Sequence, residues 1–363
     1  MALFRKTSYI SSGSLSVQAW KRFRRDKLGM GSLVFIGLVL LIALLGYIVT
    51  PDSTPFANDQ CLEMGLKKPG FKSQFILVPK EPPVERSSLL HRMIWGQKSR
   101  YYAWPILNGY ADIYDQDGAY LHETPEQLLK LYPDAKVVTR TYWLGTDRFG
   151  RDMLSMLIIG ARVSLSVGFI SVIISLLLGI FIGAIGGYFR GWIDHVIVWF
   201  INVVWSIPTL LLVIAITFAL GKGFWQVFIA VGLTMWVEVA RVVRGQILSL
   251  REKEFVEAGK ALGFSSFRII THHILPNVLG VVIVISAANF ASAILIEAGL
   301  SFLGMGVQPP VPSWGSMIKE NYGYIILDYA YLAILPGFAI MLLVLAFMLM
   351  GNALRDALDV KSL

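Results

Sequence analysis

Charge is scarce in this sequence and cysteine is almost absent. Asp, Glu, Lys and Arg make up 15% of its 363 residues, against about 25% in ordinary soluble domains. The single cysteine, Cys61, excludes an internal disulfide framework and any metal site built on several thiolates. There is no GxxxxGK[ST] stretch, so the chain carries no phosphate-cradling loop of that kind. GxSxG and HExxH are missing too, and with them two common signatures of hydrolytic sites. His272 and His273 are adjacent, so on a helix they point roughly 100° apart and cannot hold one metal together. No catalytic, cofactor-binding or metal-ligating residue is expected.

What the chain has in abundance is apolar. Hydrophobic residues account for 55% of it and the mean hydropathy is +0.63, too apolar for a soluble protein of this size. The net charge of +8 need not imply nucleic acid. The basic residues sit beside the apolar runs, where the cytoplasmic preference of Lys and Arg accounts for them without a polyanionic partner.

Residues 1–30 read as a cytoplasmic segment that ends in the basic stretch 21–27. The first apolar run, 31–50, is long enough to span a bilayer and is read as a retained signal anchor. Residues 51–142 contain no spanning run and must lie outside the cytoplasm. A small folded cap is the first expectation for this insert, since Trp95, Tyr101, Tyr102, Trp104, Tyr110 and Tyr114 argue against a disordered linker. Thr124 opens a short capped helix through Leu131. Residues 143–352 form the membrane core, with spans expected over 163–188, 193–220, 224–240, 278–298 and 329–350. Glycines 179, 183, 186 and 187 would let helices approach closely. Pro208 should kink the second of these spans and free a carbonyl. Residues 299–315 are expected as an external segment and 353–363 as a cytoplasmic tail. The fold class is therefore an all-α membrane protein of six transmembrane helices, both ends inside, with an extracytoplasmic insert between the first two.

The stretch 241–277 is the basic cytoplasmic loop around which the core is arranged. Phe255, Ala258 and Leu262 fall on one face of a short helix. Gly263 ends it, and Ser265 or Ser266 caps a second helix striped by Phe267, Ile270 and Ile274 until Pro276 stops it. From pattern alone the first helix either lies on the lipid surface or fills a groove in another protein.

Glu257-Ala258-Gly259, three residues, Gly263 and then Leu275-Pro276 resemble the EAA loop of ABC-importer permeases. Gly259 replaces the second alanine of that pattern, and His273 stands where isoleucine is usual. Leu144-Gly145-Thr146-Asp147, Gly150-Arg151-Asp152 and Gly160-Ala161-Arg162-Val163-Ser164-Leu165 are similar to the LGTDxxGRD…GxRxSL segment of the peptide-type permeases. The resemblance implies the type I ABC importer permease fold. It also implies a homologous second permease subunit, cytoplasmic ABC ATPase subunits and an extracytoplasmic substrate-binding protein, all within membrane lipid and with no nucleic acid. Glu257, Ala258, Gly259, Gly263 and Pro276 would then be the ATPase-coupling residues. Peptides are the implied cargo, and nickel and glutathione share this permease type. A secondary transporter would need paired broken half-helices, and a membrane enzyme would need a catalytic constellation; neither pattern is visible.

Ionisable residues within spans are functional suspects. Glu297, in a stretch resembling EAxLSFLGxG, is expected to bond freed backbone rather than substrate. Glu238 is expected to pair with Arg241 or Arg244, and Asp194 lies near an inner boundary. Trp199 and Asn202 stand where related permeases often carry an arginine and an acid, which suggests an ion pair replaced as a unit. Asn202, Pro208 and Glu297 are thus the candidates for the translocation path or its support.

Overall fold

The computed structural model describes residues 15–114, 120–221 and 223–358. Expectations that fall on residues 1–14, on Lys222 and on the tail beyond 358 lie outside this range. An amphipathic α1 (Leu15–Phe23) precedes α2 (Lys27–Val49), whose N-terminus is capped by the Asp26 carboxylate. The insert then contributes β1 (Phe71–Pro79), α3 (Leu89–Trp95), β2 (Tyr101–Leu107), β3 (Tyr110–Tyr114), β4 (Tyr120–Glu123), α4 (Pro125–Leu131) and β5 (Lys136–Tyr142). The membrane core follows as α5 (Met153–Phe189), α6 (Gly191–Trp205), α7 (Thr209–Leu220), α8 (Phe224–Leu250), α9 (Glu254–Ala261), α10 (Ser266–Phe302), α11 (Trp314–Asn321) and α12 (Tyr331–Leu358). In lipid no water is available to backbone amides, so the apolar runs close their hydrogen bonds as helices. Among the described residues five helices are long and apolar enough to span, and α6 with α7 makes a sixth when counted as one broken span. The all-α membrane class holds for this core.

Small residues bring α5 against α8. A Cβ at Gly179 would run into Val239, at Gly183 into the backbone of Ala240, and at Gly187 into Arg244 and Ile247. Close backbone approach of this kind supplies the dispersion contacts that hold helices together in lipid.

Several boundaries differ from expectation, and the helices placed at 224–240 and 329–350 run on to Leu250 and Leu358. The span placed at 163–188 begins at Met153, because the Asp152 carboxylate accepts the Ser155 N–H at 2.8 Å and starts the helix early. The span placed at 193–220 is not kinked but broken, with α6 and α7 meeting at 92°. Pro208 has no N–H to continue the ladder. The Val204 carbonyl that Pro208 leaves is taken instead by Ile207 N–H at 3.3 Å, and Ser206 N–H reaches Asn202 O at 3.0 Å. Pro276 does not stop a helix: Ser266–Phe302 is continuous. A π-helical turn over Ile269–Ile274 absorbs the proline, with Leu275 N–H bonded to Ile270 O and the Asn277 side chain donating to His273 O at 2.6 Å. Finally, the external segment 299–315 is partly helical. The last turn of α10 reaches Phe302, and α11 opens at a capping box on Ser313 and Ser316.

The insert is a folded cap, as first expected, and it is built on a sheet. The five strands pair antiparallel in the order β4-β3-β2-β1-β5. The interior strand β1 buries both faces. Ile76 and Val78 pack with Ala111, Ile113 and Leu128 of α4, while Phe75 packs with Met64 and Tyr142. The capped helix expected from Thr124 is α4, with Thr124 and Gln127 in a reciprocal capping box.

Candidate functional site

The loop between α8 and α10 folds into a knob. Helix α9 ends in a Schellman motif: Phe264 N–H bonds Gly259 O at 3.0 Å and Gly263 N–H bonds Lys260 O at 2.9 Å. Gly263 sits at φ +75°, the left-handed region that favours glycine. Ser265 then caps α10 by accepting the Arg268 N–H. Val256 and Gly259 face inward, and Val256 packs with Ile269 and Ile274 on Val243, Ile247 and Tyr188. The base is fastened by Arg190, whose guanidinium meets Glu252 at 2.5 Å, and by Arg251 over the Tyr188 ring.

The residues expected on one apolar face are together and point outward. Phe255, Ala258 and Leu262 are exposed, Leu262 at 72%, and Phe267 joins them at 75%. Of the stripe expected for the second helix, Ile274 is buried and Ile270 half-buried, whereas Phe267 is exposed. Ile269, outside that stripe, is also buried. Glu257 is exposed beside Ala258, and Pro276 is exposed at the return into the membrane. His273 lies against the Phe264 ring at 5.6 Å, and among the described residues no cluster could hold a metal.

Within the membrane, the break between α6 and α7 opens a cavity of about 320 Å3 bordered by Trp205, Thr209, Thr234, Glu238 and Ser292. Glu238 forms no ion pair with Arg241 or Arg244. Arg244 instead grips Asp194 with two hydrogen bonds, at 2.5 and 2.6 Å, tying α6 to α8, while Arg241 stacks on Trp205 at 3.4 Å. The partners of the Asp194–Arg244 pair are fifty residues apart, beyond any local pattern. Only the placement of Asp194 near an inner boundary hinted at it. Asn202, Trp199 and Pro208 are exposed on the broken span.

Glu297 is fully buried. Ser301 donates to it at 2.7 Å and Ser164 at 3.4 Å, and Ser313 donates on to Ser301 at 3.2 Å. One carboxylate therefore joins α5, α10 and the start of α11. Close by, Trp314 fills the space above Gly160 and donates its indole N–H to Leu157 O at 2.9 Å.

The outer loop 145–152 is a knot rather than a solvated turn. Thr146 Oγ1 donates to Met64 O at 2.5 Å and accepts the Lys67 N–H at 2.8 Å. The buried Asp147 carboxylate accepts the N–H groups of Phe149 and Arg151 and pairs with the Arg151 guanidinium at 2.6 Å. Arg151 also meets Glu320 at 2.5 Å, and any Cβ at Gly150 would collide with Cys61 O. Segment 61–67 is thereby fastened to the permease core. Sequence reasoning missed this because the pairing residues lie some eighty positions apart.

Comparison with known proteins follows this division. Residues 152–361 match the family described as binding-protein-dependent transport system inner membrane component. Residues 14–69 match the N-terminal TM domain of oligopeptide transport permease C, and 70–151 lie between the two matched regions. The chain is 44% identical over 220 residues to the dipeptide transport system permease protein DppC of Alkalihalophilus pseudofirmus, covering 61% of this chain and 72% of that protein. It is 38% identical over 220 residues to the glutathione transport system permease protein GsiD of Pectobacterium atrosepticum, covering 61% and 73%. A solved chain of the MetNI methionine ABC transporter in an inward-facing conformation aligns at a TM-score of 0.48 and 18% identity, over 57% of this chain and 98% of that one. The chain belongs to the binding-protein-dependent transport system inner membrane component family and is a multi-pass permease subunit of an ABC importer, with ATP hydrolysed by a separate ATPase.

Proposed function

We propose that this permease imports short peptides across a bacterial cytoplasmic membrane, as one of two homologous permease subunits. Substrate reaches it from an extracytoplasmic binding protein, and drive reaches it from a cytoplasmic ATPase through the 254–276 knob. The observation that carries the coupling role is an exposed apolar face standing on a packed base. Phe255, Ala258, Leu262 and Phe267 face away from the protein in a loop too basic to cross the membrane. An apolar patch of this kind marks a protein or membrane contact, and the resemblance of 257–276 to the EAA loop favours protein here. Glu257 and Ala258 belong to the contact, Gly259 and Gly263 shape the corner that presents it, and Pro276 returns the chain to the membrane. Asn202 and Pro208 border the path on the broken span. Glu297, without exposure to any cavity, supports the outer end of the core.

Peptide cargo is favoured because the dipeptide permease is the more similar of the two relatives, at 44% against 38% identity. Reconstitution in proteoliposomes with the second permease, the ATPases and the binding protein tests it. ATP-dependent uptake of a labelled dipeptide is expected. Uptake of nickel alone, or of glutathione alone, would reassign the cargo while leaving the importer class intact.

A further inference from the structure

Helix α3 carries an apolar face whose Leu89, Leu90 and Ile94 stay exposed, with only Met93 half-buried among them. At 100° per residue, Leu89, Met93, Leu90 and Ile94 occupy one continuous arc of about 140°, with His91 and Arg92 on the other side. Leu89 and Leu90 are 67% and 70% exposed and Ile94 is exposed beside them, while Trp95 is exposed on the side of His91 and Arg92. In an external aqueous cap such a face would be anomalous.

The position of α3 explains it. The helix is pinned at the outer end of α2: Arg162 of α5 donates to Met93 O at 3.0 Å and lies over Tyr47, three residues from the end of the first span at Thr50. Gly96 packs on Ser53 and the Tyr47 ring so closely that a Cβ would lie 2.8 Å from Ser53 O. α2 has 23 residues; at 1.5 Å per residue it is about 35 Å long, so its last turn reaches the outer edge of a hydrocarbon core of about 30 Å. Leu40, Leu41, Leu44, Ile48 and Val49 of α2 are exposed, as expected of a lipid-facing span. The bare face of α3 lies where that lipid-facing surface meets the headgroups. On the opposite side of the helix Trp95 supplies the ring type favoured at that level, and Arg92 within α3 and Arg86 before it supply charge suited to phosphates.

We propose that α3 is an interfacial anchor that seats the insert in the outer leaflet, its occupant being the headgroup–acyl boundary of the bilayer. Buried apolar area with nearby basic residues is what holds such helices in the interface plane. The sheet is then tethered at two places, by segment 61–67 to the permease core and by α3 to lipid.

The test uses the full chain in its assembled transporter, in vesicles of phosphatidylethanolamine and phosphatidylglycerol. Cys61→Ser removes the native thiol, and a spin label is placed at Leu90→Cys or, as an aqueous reference, at Glu126→Cys on α4. Substrate-stimulated ATP turnover confirms that each labelled complex is intact. Collisions with oxygen should exceed those with a water-soluble nickel chelate at position 90, and the ratio should reverse at position 126. A position-90 label as open to the chelate as the reference would overturn the proposal. So would a label shielded from both reagents, which would mean that another protein chain covers this face.

Discussion

The loops 145–152 and 251–265, which the charge pattern assigns to opposite faces of the membrane, are polar stretches turned on glycines, at φ +74° for Gly150 and +75° for Gly263. They dispose of their groups in opposite ways. The outer loop buries its charges and satisfies them within the chain: Asp147 is 1% exposed and Arg151 only 5%. The loop 251–265 keeps Lys253, Glu254, Glu257 and Lys260 in water and turns Phe255 and Leu262 outward. A buried, hydrogen-bonded charge network resists change because each member would be left unpaired by the loss of another. An exposed apolar face does the reverse, since it gains from being covered. The difference separates an element fastened within the chain from one that leaves an apolar face uncovered.

The contrast is most severely stressed at Arg151. Arg151→Ala strands Asp147 in a buried site and removes the partner of Glu320, so a loss of about 3–5 kcal/mol is expected. Thermal unfolding in detergent should fall sharply, and Asp147→Asn with Arg151→Met should recover part of the loss. ATPase retention per folded molecule should not change, whereas a selective loss of retention would blur the distinction between the two ends.

Gly263→Val is the inner counterpart. No atom lies within 4 Å of the site of a Cβ there, so the penalty is conformational alone. A left-handed residue costs about 1–2 kcal/mol and a β-branched one is an outlier. Membrane levels should stay near normal while ATPase retention falls. Gly263→Asn, which tolerates this region, should keep most of it, and equal behaviour of the two variants would remove the corner from the mechanism.

A smaller effect is expected at Gly259. A Cβ there would lie 3.5 Å from the Phe264 ring, ordinary contact distance, and would complete the apolar contact that accompanies a Schellman motif. Gly259→Ala should stabilise the knob by about 0.5–1 kcal/mol, read as slower amide exchange over 256–264 with unchanged ATPase binding.

The smallest effect concerns pH. Burial pushes the Asp152 carboxyl above its ordinary range, and hydrogen bonds from Ser155 offset this only in part. A carboxyl raised on folding favours the folded state at low pH, and that contribution is lost as pH rises through the folded value. Asparagine caps helices as well as aspartate does. Asp152→Asn should therefore leave the melting temperature equal or slightly higher at neutral pH, and flatten its rise on mild acidification.

The inner site was largely legible because its signals are local. Phe255, Ala258 and Leu262 share a helical face, Gly263 supplies the positive φ, and Ser265 lies at capping distance from Arg268. The continuity through Pro276 was not legible, since a π turn depends on a single register shift that apolar periodicity does not record. The insert was legible only as a folded cap containing α4. Its β1 buries Phe75 and Ile76 on opposite faces, so it lacks the alternation by which a half-buried strand is recognised. It also pairs with β2 and with β5 across most of the insert. The outer knot and the Asp194–Arg244 pair were hidden for the same reason, being contacts between residues far apart in the chain.

We propose that the ATPase binds the outward face of the knob. Leu262 is 72% exposed, so Leu262→Asp should leave the folding of this chain untouched. Burying a leucine is worth about 1.5–3 kcal/mol, or roughly a 10- to 150-fold change in affinity. Co-purification of the ATPase with the intact permease complex, quantified for wild type and Leu262→Asp at equal membrane levels, is the direct measurement. Retention should fall by about that factor, and ATP turnover stimulated by the loaded binding protein should fall with it. Unchanged retention and unchanged stimulated turnover would contradict the account.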